Sequence, residues 1–428
     1  MSFSAHYQFG IAANREQFVH QLVQVLLVGL AIGMTRTVVP ALAESEFGLA
    51  RGSFLLLTSF VVAFGLVKSV LNFVAGRLSE IVGRKRVLVW GWIVAIPVPF
   101  LIALAPNWGW IVAATILLGV NQGLCWSMTQ TAKLDITRAD QRGLTIGLNE
   151  FAGYGGVAIA GIVTGYAATH LGPRLGLLAF GLLVITTGLT LSVLFVRDTL
   201  PWASVDAQRR TGSGESAGLS TWEVFKRVSW TDRRLMAVSQ AGLVEKFVDA
   251  LVWVIYPVFL FGRGLTLTEV GWVIGIYGFV WGASQLFTGP LSDKIGRQWP
   301  NVLGMWICGA GVAMMTFGDG AAWWSVSAAV SGFGMALLYP NLSAAVADIA
   351  PPQWRGSAIG IYRFWRDLGY ALGALGLGVA AHFTGRIDTA FWFVAGAMVL
   401  SGLILWIFGE ETHPGRNPGR IEPSDTPL

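Results

Sequence analysis

Two basic stretches, set 213 residues apart in a chain of 428, constrain this sequence more than any other feature. The first reads Gly76-Arg77-Leu78-Ser79-Glu80-Ile81-Val82-Gly83-Arg84-Lys85-Arg86-Val87. The second reads Gly289-Pro290-Leu291-Ser292-Asp293-Lys294-Ile295-Gly296-Arg297. Each lies between two long apolar runs, where a cluster of cations belongs on the cytoplasmic face of a bilayer. A loop of this kind that returns after half the chain implies a duplicated membrane unit.

The same offset aligns other positions. Arg142-Gly143 matches Arg355-Gly356, Asp135 matches Asp348, Gly29-Leu30 matches Gly242-Leu243, and Gly119 matches Gly332. Runs of about 20 apolar residues are needed to cross a bilayer core as helix. Twelve are predicted, at roughly 19–41, 53–75, 87–106, 109–131, 144–169, 175–196, 235–261, 268–289, 299–317, 322–347, 357–383 and 389–409. Only 12% of residues are charged, against about 25% in soluble domains. The expected fold is therefore an all-α membrane protein, with twelve transmembrane helices in two parallel six-helix repeats.

The segments follow. An N-terminus at 1–18 precedes a six-helix half at 19–196; a linker at 197–234, rich in Gly, Ser and charge, reads as flexible. A second six-helix half at 235–409 precedes a tail at 410–428. The loops on one side hold Arg77, Arg84, Lys85, Arg86, Lys133, Arg138, Arg142, Lys294, Arg297 and Arg355. The opposite side holds only Arg51, Arg174, Arg263 and Arg386, which places both termini and the linker in the cytoplasm. Ala41-Leu42-Ala43 mimics a signal-peptidase site, but the apolar run before it is too long for a cleaved peptide and has a partner in the second half. Net charge is +5, but the basic residues sit in loops beside the spans, so it reads as topology rather than as nucleic-acid binding. The two cysteines, Cys125 and Cys308, lie far apart in apolar runs and form no thiolate site.

The loop Gly76–Val87 resembles the signature of the major facilitator superfamily, Gly-x-Leu-Ala/Ser-Asp-Arg/Lys-x-Gly-Arg-Arg/Lys, and does so again at the repeat offset. Glu80 stands where Asp is usual, Ile81 where a basic residue is usual, and Gln298 replaces the last basic residue of the second copy. The resemblance implies a gate in these loops, formed by Gly76, Glu80, Gly83 and Arg84 and by Gly289, Asp293, Gly296 and Arg297. It places Glu80 at the start of helix 11, Asp293 at the start of helix 5, and Arg84 against an acid; a carboxylate is favoured at a helix N-terminus. Helix 5 reads Asn149-Glu150-Phe151-Ala152-Gly153-Tyr154-Gly155-Gly156 and lacks the Gly-Pro-x-x-Gly-Gly pattern of the drug/proton antiporters. The chain is also similar in overall appearance to the facilitators of magnetosome membranes implicated in iron supply, which brings iron transport and biomineralisation into view.

Charges inside the spans cost ~2.5–3.5 kcal/mol each unless paired or hydrated. They comprise Arg36, Lys68, Lys246, Arg363 and Arg366 with Glu150, Glu245, Asp249 and Asp367. At the repeat offset Arg36 aligns with Asp249, and Glu150 with Arg363, so equivalent positions carry opposite charge. The resemblance lines the central cavity with helices 1 and 7, which sets Arg36 across from Asp249. Helical spacing also suggests Arg363 with Asp367, leaving Arg366 free, and Lys246 with Asp249. Apart from Lys68, these residues are the expected substrate and proton pathway, with Glu150 and Asp249 the candidate proton carriers. Glu245 and Asp249, one turn apart, could also offer oxygens to a hard cation, but no His- or Cys-rich cluster accompanies them and any metal stays open. Asn121, Gln122, Trp126, Gln130, Tyr339 and Asn341 are expected cavity lining. Trp90, Trp92, Trp108, Trp110, Trp323 and Trp324 are expected interface anchors.

No phosphate-binding Gly-x-x-x-x-Gly-Lys-Ser/Thr loop is present, so ATP drive is not expected. Nor is an enzyme, a cofactor or a nucleic-acid partner. The expected partners are the lipid bilayer and a small-molecule or ion substrate. The function expected is gradient-driven transport by alternating access in a bacterial inner membrane or a membrane derived from it. Iron entering a magnetosome-type compartment, an organic anion or metabolite, and a non-transporting scaffold or sensor are the alternatives.

Overall fold

The computed structural model describes residues 7–41, 43, 46–49, 53–138, 141–210, 220–350 and 354–413, leaving aside the side chains of 76, 77, 80, 142, 143, 206–210, 221, 293, 355 and 356. Among the described residues the regular structure is helical. The first half comprises α1 (Arg15–Gly33), α2 (Val38–Ala41), α3 (Phe54–Val82), α4 (Arg84–Ala95), α5 (Val98–Ala103), α6 (Trp108–Ile136), α7 (Arg142–Leu171) and α8 (Pro173–Leu194). Between the halves lie α9 (Leu200–Arg210), α10 (Thr221–Lys226) and a π-helical turn at Arg227–Thr231. The second half comprises α11 (Arg233–Gly262), α12 (Leu267–Ile295), α13 (Gln298–Met314), α14 (Ala321–Ile349), α15 (Arg355–Thr384) and α16 (Asp388–Phe408).

Nine spans among the described residues are long and apolar enough to cross a membrane. The other three predicted spans correspond to α11 and α15, whose apolar runs carry charges, and to α13, with 17 residues. Two spans are broken helices. Pro97 and Pro99, which cannot donate a backbone hydrogen bond, part α4 from α5. The span of α1 and α2 is interrupted at Met34–Thr37, and Arg36 sits in that break.

The linker contains more order than its composition suggests. Ser220 and Glu223 form a capping box at the start of α10, the sequence device that satisfies orphan N–H groups. Val224 and Val228 are then buried against the second half. Asp232 caps α11 by accepting from the Arg234 and Leu235 backbone N–H groups. Burial pushes its carboxyl upward, but the Arg234 guanidinium and those N–H groups outweigh it and leave it below the usual carboxylate range.

The halves meet along two seams, α7 against α12 and α3 against α15. Glycines show how each seam runs. A methyl group on Gly271 would lie 2.6 Å from the Gly161 carbonyl oxygen, and one on Gly275 would lie 2.8 Å from Ile162. On Gly278 it would lie 3.3 Å from Ala158, on Gly282 3.6 Å from Phe151, and on Gly289 nothing is within 4 Å. The α7–α12 seam is therefore closed at the end remote from the basic loops and splays toward them. The second seam is likewise tight at Gly378 against Thr58, and at Gly360 nothing among the described residues lies within 4 Å of such a methyl group.

Six tryptophans expected at the membrane interface divide by helical face. Trp90, Trp110 and Trp323 are exposed, whereas Trp92, Trp108 and Trp324 are buried. Trp92 donates from Nε1 to Gln24 Oε1 at 2.7 Å, inside the first half.

Candidate functional site: a charged cavity between the halves

Both basic loops build the same device. The chain turns at Gly83 with φ +94° and at Gly296 with φ +98°, a region that L side chains avoid. Arg84 then reaches Asp135 from Nε at 2.8 Å, and Arg297 reaches Asp348 at 3.4 Å. The segments after α8 and α16 close each device. Asp198 accepts from the Arg84 backbone N–H at 3.1 Å, and Glu411 accepts from that of Arg297 at 2.8 Å. Thr199 donates to Asp135, and Thr412 donates to Asp348. All these pairs stand at the 213-residue offset. The repeat thus extends into the linker, whose composition reads as flexible, and into the tail. Glu80, Asp293 and Gly76, the remaining gate candidates, lie outside the described residues or side chains. Gly289 faces open space.

The broken first span places Arg36 against the second half. Its Nη1 donates to Asp249 Oδ1 at 2.5 Å, and the Tyr370 hydroxyl donates to the other Asp249 oxygen. Lys246 lies 3.5 Å from Asp249 and 3.8 Å from Glu245, and donates to the Tyr154 hydroxyl at 3.2 Å. Asp367 forms a second centre. It pairs with Arg366 at 3.3 Å and Lys68 at 3.7 Å, and accepts from Asn72. Ser127 in turn donates to Asn72 at 2.8 Å. Arg36, Lys68, Lys246, Arg366, Glu150, Glu245, Asp249 and Asp367 are all buried. Removing one partner from a buried ion pair leaves an uncompensated charge, so the paired members of this set depend on one another.

Several expected partnerships differ. Asp367 pairs with its chain neighbour Arg366 and with Lys68 of α3, not with Arg363 one helical turn away, whose side chain lines the cavity instead. Arg363 lines the cavity with its Nε unpartnered. Glu150 and Arg363, although aligned by the repeat, form no ion pair. Glu150 instead accepts from Asn149 at 2.8 Å and Trp126 at 3.3 Å, and its Oε2 has no partner. Lys133, expected in a loop, is buried within α6 and donates to the Gln21 carbonyl at 3.0 Å. Asn121 turns away to the Gly91 carbonyl at 3.0 Å, and Asn341 bonds within its own helix to the Leu337 carbonyl. Of the Glu245–Asp249 pair, Asp249 is held by Arg36 and Lys246, whereas Glu245 has Lys246 at 3.8 Å and no hydrogen-bond partner on either oxygen. Among the described residues no three His, Cys, Asp or Glu side chains gather as a metal site.

These groups enclose a cavity of about 10 Å³, lined in part by Arg36, Lys68, Gln122, Trp126, Tyr339, Arg363, Arg366 and Asp367. It is room for a single water at the lower limit. Four cations face it against one carboxylate. Lys68 was seen in the sequence as a membrane charge but not placed at the site, and Asn72, Tyr154, Trp281 and Tyr370 carried no expected role at all.

The sequence profile of the Major Facilitator Superfamily matches residues 22–245 and 238–427. An uncharacterised MFS-type transporter of Salmonella typhimurium is 22% identical over 403 residues, spanning 88% of this chain and 92% of its own. The class H tetracycline resistance protein of Pasteurella multocida is 25% identical over 399 residues, spanning 90% and 92%. The xylose transporter XylE from E. coli, in its inward-open conformation, shares the fold with a TM-score of 0.71 at 18% identity, covering 92% of this chain and 96% of that one. Twin profile matches spanning nearly the whole sequence, one per half, join a duplicated helical fold with a charged cavity between the halves: the chain is a multi-pass membrane transporter, not an enzyme, and belongs to the Major Facilitator Superfamily.

Proposed function

We propose that this transporter carries a small organic anion by alternating access, driven by a gradient of the solute or of protons. The observation that carries this reading is the excess of cations lining the cavity, three of them buried and Arg363 half-buried. Arg36, Lys68, Arg363 and Arg366 face it with one lining carboxylate, and the Nε atoms of Arg36 and Arg363 have no partner. A buried donor left unmade costs about 1–3 kcal/mol, which a carboxylate ligand would recover. In the unliganded state the cations are neutralised by Asp249, Asp367 and ring faces. A substrate carboxylate would compete for Arg36 and release Asp249, which ties binding to the contact between halves.

The basic face is cytoplasmic in this reading, so the splayed seams open toward the cytoplasm. The halves at 19–196 and 235–409 then rock about the linker at 197–234. Of the two candidate proton carriers, Asp249 is engaged on both oxygens, whereas Glu150 keeps one oxygen open, and the coupling proton is assigned to Glu150. Iron supply to a magnetosome compartment fits less well, because two of the four buried carboxylates a hard cation could use, Asp249 and Asp367, are already held by arginine and lysine.

Reconstituted protein in proteoliposomes under an imposed pH gradient tests the reading. Radiolabelled organic anions should accumulate at several times the rate of empty liposomes, and radiolabelled iron should not. Iron flux without anion flux would overturn it.

A further inference from the structure

The buried cations do not only meet carboxylates; Lys246, Arg366 and Lys68 also rest on aromatic faces. Lys246 Nζ lies 4.7 Å from the Trp281 ring centre and 5.0 Å from that of Tyr339. Arg366 lies 4.6 Å from the Tyr339 centre, and Lys68 5.0 Å from that of Tyr370. Such contacts supply electron density without competing for hydrogen bonds.

The rings also bridge the halves. Tyr154 of α7 and Trp281 of α12 face one another with centroids 3.6 Å apart and planes inclined by 32°. This pair sits where the α7–α12 seam begins to splay. Tyr339 stands edge-on to both, at 5.8 Å from each. Trp281 is fully buried, and its indole N–H has no hydrogen-bond partner. A tryptophan placed so deep normally finds one. Two rings from opposite halves are thus packed directly against each other, edged by Lys246 and Tyr339 and supplied with an unused donor.

Resting on the anion reading above, we infer that the substrate is a planar aromatic carboxylate whose ring enters between Tyr154 and Trp281. Its carboxylate takes a hydrogen bond from Arg36, as above, and others from Lys246 and Arg366, which the same rings already hold in place. An aliphatic acid satisfies the cations but leaves the two ring faces without a flat partner. Entry of the ring replaces the Tyr154–Trp281 contact, and closure of the halves on the ring restores stacking on both its sides.

The test compares benzoate with cyclohexanecarboxylate, which has the same charge and nearly the same size but a puckered saturated ring. Competition of each against labelled benzoate uptake is measured in proteoliposomes of the full chain. Wild type should prefer benzoate about tenfold, the two stacked faces together supplying about 1.4 kcal/mol. Trp281→Leu should bring the ratio close to one, while Trp281→Phe keeps most of it. Should Trp281→Leu fail to fold, Tyr154→Leu and the wild-type ratio carry the test. Equal competition by the two acids in wild type overturns the aromatic inference and leaves the anion reading standing. Transport of neither acid, with uptake of benzylamine instead, overturns both.

Discussion

Asp249→Asn is expected to lower the stability of the folded protein by about 3–5 kcal/mol and to reduce anion flux to background. Asp249 meets Arg36 at 2.5 Å and Lys246 at 3.5 Å, and accepts from Tyr370, all within a fully buried site. Neutralising it leaves a guanidinium and an ammonium in low dielectric with little to balance them. The double variant Arg36→Gln/Asp249→Asn should recover most of that stability, because a buried pair removed together leaves no unpaired charge. It should not recover flux, because Arg36 is assigned to the substrate. Thermal unfolding in detergent and uptake into proteoliposomes separate the two effects. A single variant with normal uptake would remove the pair from the transport pathway.

A disulfide between Thr169→Cys and Thr268→Cys is expected to stop turnover and to release it on reduction. The two threonine hydroxyls are 3.1 Å apart, joining the ends of α7 and α12 at the closed end of the seam. The native Cys125 and Cys308 are buried and should not compete for the oxidant. Bridging the halves there holds the remote face shut, so a carrier that must open to each face in turn is trapped. Flux should fall to background with oxidant and return to at least half the uncross-linked rate with reductant. Undiminished flux through the quantitatively cross-linked protein would show that this seam does not open in the cycle.

The helical architecture was legible because a membrane segment must satisfy its own backbone, so apolar length alone announces each helix. The Arg36–Asp249 contact was reachable from the repeat, since two-fold symmetry brings equivalent positions of the first and seventh spans together. Contacts that depend on helix rotation were not reachable. Asp367 chose Lys68 and Asn72 from α3 over its own helical neighbour Arg363, and nothing along one helix announces what the next presents. Lys133 was read as a loop residue because lysines flank spans. In fact α6 runs on to Ile136 and the ammonium finds the Gln21 carbonyl. The aromatic cluster was invisible for the same reason. Trp281 and Tyr154 each look like one more apolar residue until two helices from different halves set them face to face. Asp198 and Glu411 escaped notice because short polar stretches after the last helix of each half read as loose chain. Their role appears only when Gly83 and Gly296 offer a turn that a carboxylate can fill.

The central claim is that one cavity, exposed to each face in turn, carries the anion across. Counterflow tests it most directly. Proteoliposomes loaded with unlabelled benzoate are diluted into a trace of labelled benzoate with no ion gradient imposed. A carrier exchanges one for the other, so internal label should rise well above its equilibrium level and then decay. A monotonic approach to equilibrium, as through a channel or the bare membrane, would contradict the account.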